Sequence, residues 1–146
     1  MRVRDLLALK HSSVITIGSQ EDLAAAIGLL MRQNIGGLPV LAPNGTAVGF
    51  VAERDIVRAV QEHRGEVHHL RVLDVMRPPP ICEADDTLEQ VMRRMTQEHL
   101  RHLVVRDSGK IVGVISVGDI VKHRLEQLET ETGVLRDYVA GQRATR

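Results

Sequence analysis

Ser116 and Asp119 stand three residues apart where an apolar run, Ile111, Val112, Val114 and Ile115, gives way to the helix-like series Ile120, Val121, Leu125 and Leu128. A hydroxyl and a carboxylate at that spacing can do two things. They can form a capping box, the serine oxygen accepting from the backbone N–H of Asp119 while the carboxylate reaches back to the serine N–H, worth about 0.5–2 kcal/mol. They can also hold a ligand. A carboxylate only accepts, so it suits the paired hydroxyl donors of a ribose, and a helix N-terminus offers free N–H groups and positive partial charge to a phosphate. The same atoms can serve both ends.

Other candidates emerge when the chain is compared with itself. "EDLAAAIGLLMRQNIGGLPVLAPNGTAVGFVAERDIVR" lies over "DTLEQVMRRMTQEHLRHLVVRDSGKIVGVISVGDIVKH". Leu23 aligns with Leu88 and Val40 with Val105, an offset of 65. After a one-residue slip, Gly45 aligns with Gly109, Gly49 with Gly113 and Asp55 with Asp119, an offset of 64. Ahead of these, "VRDLL" (Val3–Leu7) matches "VLDVM" (Val72–Met76). In the first copy Ala52 stands where the serine should be, and Gly36-Gly37 stand opposite Arg101-His102. Hydroxyl and cations are missing together in one copy and present together in the other, as expected if Ser116, Asp119, Arg101 and His102 form one working set. A guanidinium can fork onto phosphate oxygens, and an imidazole with an ordinary pKa near 6.5 can donate in either protonation state. A solvated surface is the plain alternative for Arg101 and His102. The same holds for Glu53 and Arg54 at a helix start, from which Arg54 could reach a phosphate across a pseudo-twofold.

The elements that position these residues read alike in both copies. A short extended piece comes first, "VITI" (Val14–Ile17) or "PICE" (Pro80–Glu83). A helix follows, with Leu23, Ile27, Leu30 and Met31, or Leu88, Val91, Met92 and Met95, on its core-facing stripe. Ser19 with Asp22, and Asp86 with Glu89, are the start signals. Two strands then flank Asn44-Gly45 or Ser108-Gly109, where a tight hairpin needs residues that tolerate positive φ. A second helix begins near Glu53 or Val117. The unit is β-α-β-β-α, and each open sheet face needs the other copy to cover it. The fold class is α/β, two pseudo-twofold-related units packed into one module.

This pattern resembles the CBS domain family, whose motifs occur in tandem pairs as a Bateman module. The resemblance runs from Met1 to Leu128 and is carried by "GLPVLAPNGTAVGFVAERDIV" and "LRHLVVRDSGKIVGVISVGDIV". It implies residues 1–65 as the first CBS motif, 66–128 as the second and 129–146 as a C-terminal helical extension and tail. It also implies a free-standing homodimer that binds an adenine-containing ligand (AMP, ADP, ATP, NAD or S-adenosylmethionine) and whose ligand state controls an unidentified partner protein. Residue by residue, it implies that Asp119 takes ribose hydroxyls, with Asp55 its first-copy counterpart. Ser116 takes phosphate or ribose, and Arg101 and His102 face phosphates. The backbones of Pro80, Ile81 and Cys82, and of Val14, Ile15 and Thr16, read the adenine edge. Ala52 and Gly36-Gly37 depart from the family pattern and weaken the first copy's hold on phosphate.

Composition removes other classes. Formal charge is zero over 146 residues, so no net field draws nucleic acid or an anionic membrane. One Phe, one Tyr and no Trp leave no aromatic platform for single strands. No apolar run nears the roughly 20 residues of a membrane span, and "MRVRDLLALKHSS" has no signal-peptide core. The single cysteine, Cys82, fits a reducing cytosol and a small buried thiol. "EVHHL" (Glu66–Leu70) has no second cluster at zinc spacing. No Gly-rich phosphate loop, HExxH or GxSxG occurs, so neither an enzyme nor a metal site is expected. After the second copy, Leu125, Leu128, Leu135, Tyr138 and Val139 fall near one stripe that either covers the module's own flank or, as favoured here, meets the same stripe of another subunit, with Gly133 as a point of bending or splitting. The expectation is a non-catalytic cytoplasmic nucleotide sensor. Its rival is a constitutive dimeric scaffold with degenerate pockets.

Overall fold

Leu23 and Leu88 each enter the core at the first turn of a helix, and both copies build outward from that point. The computed structural model describes residues 1–10 and 13–144, with side chains as far as Gly133. The elements are α1 (Val3–Lys10), β1 (Ile17–Gly18), α2 (Leu23–Gln33), β2 (Gly37–Leu41), β3 (Ala47–Ala52), α3 (Glu53–Glu62), a 3-10 turn (Val72–Asp74), β4 (Ile81–Glu83), α4 (Leu88–Gln97), β5 (His102–Asp107), β6 (Lys110–Ser116) and α5 (Val117–Ala144). They form two three-stranded sheets, β1-β2-β3 and β4-β5-β6, each a parallel pair followed by an antiparallel hairpin. The fold is α/β with two matching halves, as the repeat requires.

The one-residue slip between copies is a difference in loop length. In the second hairpin Asp107 pairs with Lys110 around Ser108 and Gly109, both at positive φ (52° and 79°). In the first, the Ala42 N–H bonds to the Thr46 carbonyl at 2.8 Å, around three residues of which Gly45 alone has positive φ (85°). Asn44 instead accepts from the Thr46 N–H through its side chain at 3.0 Å. A register shift follows Val40 in one hairpin and its counterpart Val105 in the other.

Proline makes the copies unequal. The Val104 N–H bonds to the Pro80 carbonyl at 2.7 Å and helps hold β4 beside β5. The counterpart of Val104 is Pro39, which has no N–H to give. Pairing with β2 therefore starts only at Ile17 with Val40, and Val14–Thr16, expected as strand, stand outside the ladder.

Two helix expectations need correction. The buried stripe of α2 is Leu23, Ala26 and Leu30, while Met31 is 77% exposed. That of α4 is Leu88, Val91 and Met95, with Met92 exposed. The starts also move by a residue or more. Asp22 occupies the N-cap of α2 without a side-chain cap bond, and Thr87 with Gln90 forms the box that opens α4. Helix α5 continues through Gly133 unbroken. Leu135, Tyr138 and Val139 lie outside the residues whose side chains are described.

The leading segments cross over. Val3 and Leu6 of α1 are buried in the second half's core with Cys82, Leu88, Leu103 and Ile115. Val72 and Leu70 are buried in the first half's core with Leu23, Leu38 and Val51. Matching hydrogen bonds hold each segment. Val3 N–H reaches the Asp86 carbonyl and Val72 N–H the Glu21 carbonyl, both at 2.9 Å. Leu88 N–H reaches Met1 at 3.1 Å and Leu23 N–H reaches Leu70 at 2.9 Å. Between the halves lies a third cluster, Phe50, Ala52 and Val104, with Ile81 and Val114 packed against it.

Candidate functional site

Ser116 and Asp119 form the capping box in full. Asp119 Oδ2 accepts from the Ser116 N–H at 2.8 Å, and Ser116 Oγ accepts from the Asp119 N–H at 3.1 Å. Both residues also line a cavity of about 240 Å³ between the halves. The dull and the functional readings thus occupy the same atoms. Among the described residues, Asp119 Oδ1 takes no hydrogen bond.

The cavity draws on both copies. Its second-copy wall is His102, Val114, Ser116 and Asp119; its first-copy wall includes Val14, Ile15, Gly36 and Gly37. Gly36 and Gly37 are therefore part of this site as well as counterparts of Arg101 and His102. A Cβ on Gly36 would sit 3.2 Å from His102 Nε2, and one on Gly37 would fall 2.5 Å from the Phe50 ring. Those glycines leave room for the His102 and Phe50 rings, whose centroids lie 5.4 Å apart. Burial lowers the His102 pKa, with Asp119 pulling the other way, so the ring is neutral near pH 7. Half-burial pushes the Asp119 carboxyl up, but the Lys10 ammonium and the Ser116 backbone outweigh it and hold the group below the usual carboxylate range.

Lys10 was absent from the sequence-derived set. Its Nζ donates to Asp119 Oδ2 at 2.8 Å and to the Val114 carbonyl at 2.7 Å. It reaches the second copy's aspartate because α1 has crossed to that half. Nothing in "LALKHSS" distinguishes this lysine from a surface charge.

The remaining candidates lie elsewhere. Arg101 is exposed at the mouth of β5 and outside the cavity lining; its carbonyl accepts from the Val117 N–H. Arg54 is exposed on α3 and also outside it. Thr16 lines a separate surface hollow with Gly18 and Pro43. Pro80 and Ile81 have engaged carbonyls, the first by Val104 and the second by the Arg94 side chain, and Cys82 is buried in the second half's core. The strand segment that faces Asp119 is Val14–Ile15, where the missing Pro39 N–H leaves the backbone out of the sheet.

Asp55, the first-copy counterpart, is only 2% exposed. One oxygen accepts from the Ala52 N–H at 2.8 Å, the carboxylate half of a box that lacks its hydroxyl. The other lies 2.7 Å from Arg77 Nε and 3.4 Å from Arg58 Nη1. The Arg77 Nε–H is not aimed at that oxygen, so the contact is an ion pair and not a well-directed hydrogen bond. Arg77 is held by a backbone bridge to Phe50, donating at 2.9 Å and accepting at 2.8 Å. The two aspartates therefore differ sharply: one faces space, the other is closed by protein.

Among the described residues, no helix is long and apolar enough to cross a membrane and no cluster of ligand side chains could hold a metal.

Known proteins share this architecture. A crystal structure of a CBS-domain protein of Agrobacterium tumefaciens superposes with a TM-score of 0.80 at 34% identity, covering 84% of this chain and 92% of that one. A CBS domain protein of Pyrobaculum aerophilum complexed with AMP has the same fold, with a TM-score of 0.77 at 23% identity over 90% of this chain and 99% of that one. An uncharacterized protein of Methanocaldococcus jannaschii is 27% identical over 122 residues, 82% of this chain; the chain spans 41% of that relative's length. The CBS domain family itself matches twice, over residues 3–62 and 72–126. With two matching sheets, crossed leading segments and both family matches in place, this chain belongs to the CBS domain family as a tandem pair.

Proposed function

We propose that this CBS pair is a non-catalytic regulatory module that binds an adenine nucleotide in the cavity at Asp119 and answers to its occupancy. The carrying observation is Asp119 itself, capped and half-buried, which lines a cavity that both halves enclose and keeps one oxygen without a hydrogen bond among the described residues. That oxygen accepts one hydroxyl of the ribose diol, and the second hydroxyl needs Oδ2. Ser116, the α5 N-terminus and neutral His102 donate toward the phosphate. The freed backbone at Val14–Ile15 reads the adenine edge. A mononucleotide is the simplest ligand that brings adenine, a ribose diol and a phosphate to these parts of the cavity. AMP in the Pyrobaculum relative supports the same choice.

Because the cavity walls come from both halves, a ligand that prefers one arrangement of them shifts the population toward it. The readout is an unidentified partner protein or the assembly itself. Val57 and its counterpart Val121 are both exposed, on α3 and α5. Equivalent positions of the two second helices are thus both apolar and exposed, which suits a homodimer. The scaffold reading draws its support from Asp55, whose closure shows how one pocket of the pair can be lost.

Calorimetry with AMP tests the proposal. Wild type binds, and Asp119→Ala weakens binding about 10- to 100-fold, as expected for losing charged hydrogen bonds. Equal affinity in the two proteins overturns the site, and no binding of AMP, ATP, NAD or S-adenosylmethionine to wild type leaves the scaffold.

A further inference from the structure

Lys10 spends its ammonium on the very carboxylate that the ligand needs. Its two hydrogen bonds, to Asp119 Oδ2 and the Val114 carbonyl, leave one of three donors. Both members of the pair are only partly covered, with 28% and 25% of their side chains exposed, and both line the cavity. The first-copy equivalent is built differently. There Asp55 is sealed, and Arg77 is pinned by two backbone bonds to Phe50. Among the described residues Lys10 has no such anchor: it ends α1 and reaches β6 through its side chain.

We infer that Lys10 is a displaceable latch that makes the cavity select anionic over neutral nucleosides. This rests on the proposed nucleotide reading and adds to it. To seat the second hydroxyl of its ribose diol, a neutral nucleoside must draw Asp119 Oδ2 off Lys10, and it leaves a partly desolvated ammonium without its partner. A nucleotide offers that ammonium a phosphate in exchange, so the lost ion pair is replaced. Arg77 cannot exchange in this way, which restricts the module to one ligand per chain. The sensor would then respond to phosphorylation of the nucleoside and not to the nucleoside itself.

The test compares adenosine with AMP on wild type and Lys10→Gln by calorimetry. Glutamine keeps a donor for the Val114 carbonyl and removes the charge. The variant should bind adenosine more tightly than wild type and AMP no more tightly, so that selectivity for AMP falls about tenfold, the size of one charged hydrogen bond. Lys10→Arg, which keeps the charge, should retain most of the selectivity and serves as the control for folding. Unchanged selectivity in Lys10→Gln with normal AMP binding overturns the latch and leaves the nucleotide site standing. Failure of wild type to bind either compound overturns both. A stoichiometry of two AMP per chain overturns the single-site corollary.

Discussion

Arg77 and Asp55 form an ion pair at 2.7 Å in which the carboxylate is almost fully buried and the guanidinium is about half exposed. The pair ties the segment leading into the second copy to the first helix turn after β3. Breaking a buried pair leaves an uncompensated charge, so Arg77→Ala should cost about 3 kcal/mol, at the low end of the usual range because Arg58 remains nearby. Replacing both residues by apolar ones of similar size should recover much of that loss. Urea unfolding of the single and double variants measures both effects.

Asp55 should be silent in ligand binding. Since its oxygens are committed to Ala52, Arg77 and Arg58, Asp55→Asn should lower the melting temperature yet leave AMP affinity within about twofold of wild type, a difference under about 0.5 kcal/mol. A large affinity loss with intact folding would show that the first pocket opens in solution.

Two equivalent glycines should respond unequally to alanine. A Cβ on Gly49 would meet Met76 Sδ at 2.5 Å and the Arg77 carbonyl at 3.0 Å, whereas one on Gly113 would meet only the Leu7 side chain, at 2.7 Å. Leucine can turn aside, but backbone cannot. Gly49→Ala should therefore cost about 1–3 kcal/mol and Gly113→Ala less. Paired thermal melts read the difference directly.

His102 gives the fold an acid-sensitive step. Burial keeps its folded pKa below the ordinary 6.5, while the unfolded chain protonates at the ordinary value. The unfolded state then binds more protons as pH falls below about 6.5, and stability declines until the folded pKa is reached. Urea midpoints taken from about pH 7.5 to about pH 5 should fall in wild type and fall less in His102→Gln. Asp119 adds a second, lower step. With its folded pKa below 3.8, its contribution is present above that value and is lost on further acidification.

Cys82 should be inert while the protein is folded. Its thiol is buried, and desolvation, reinforced by Asp86, pushes its pKa up to about 12. A thiol reagent should label it only at the rate of unfolding, and rapid labelling of native protein would contradict the core placement.

Much of the architecture was legible because it was written twice. Aligned glycines and aspartates located the hairpins and second helices, and the Ser-x-x-Asp junction pointed to the cavity. What stayed hidden depends on long-range placement. Periodicity marks α1 as amphipathic but cannot say which half it enters, so Lys10 looked like a surface charge. Both leading strands were expected to read adenine, and only Val14 and Ile15 line the cavity beside Asp119, where Pro39 lacks the donor that would draw them into the sheet. Arg101 was grouped with His102 because both stand opposite glycines, Gly36 and Gly37, in the first copy. Alternation along β5 turns neighbouring side chains to opposite faces, and Arg101 lies at the exposed edge.

The crossing of the leading segments has a consequence for the integrity of the two halves. A chain severed near Gly65 yields two fragments, each holding the hydrophobic plug of the other. Neither can complete its interior alone, and mixing them should restore what separation denies. A single copy on its own would face the same shortage, closed only by trading plugs with an identical neighbour. With both copies in one chain that trade is internal, and of the two equivalent aspartates one lines a cavity while the other is buried as mortar.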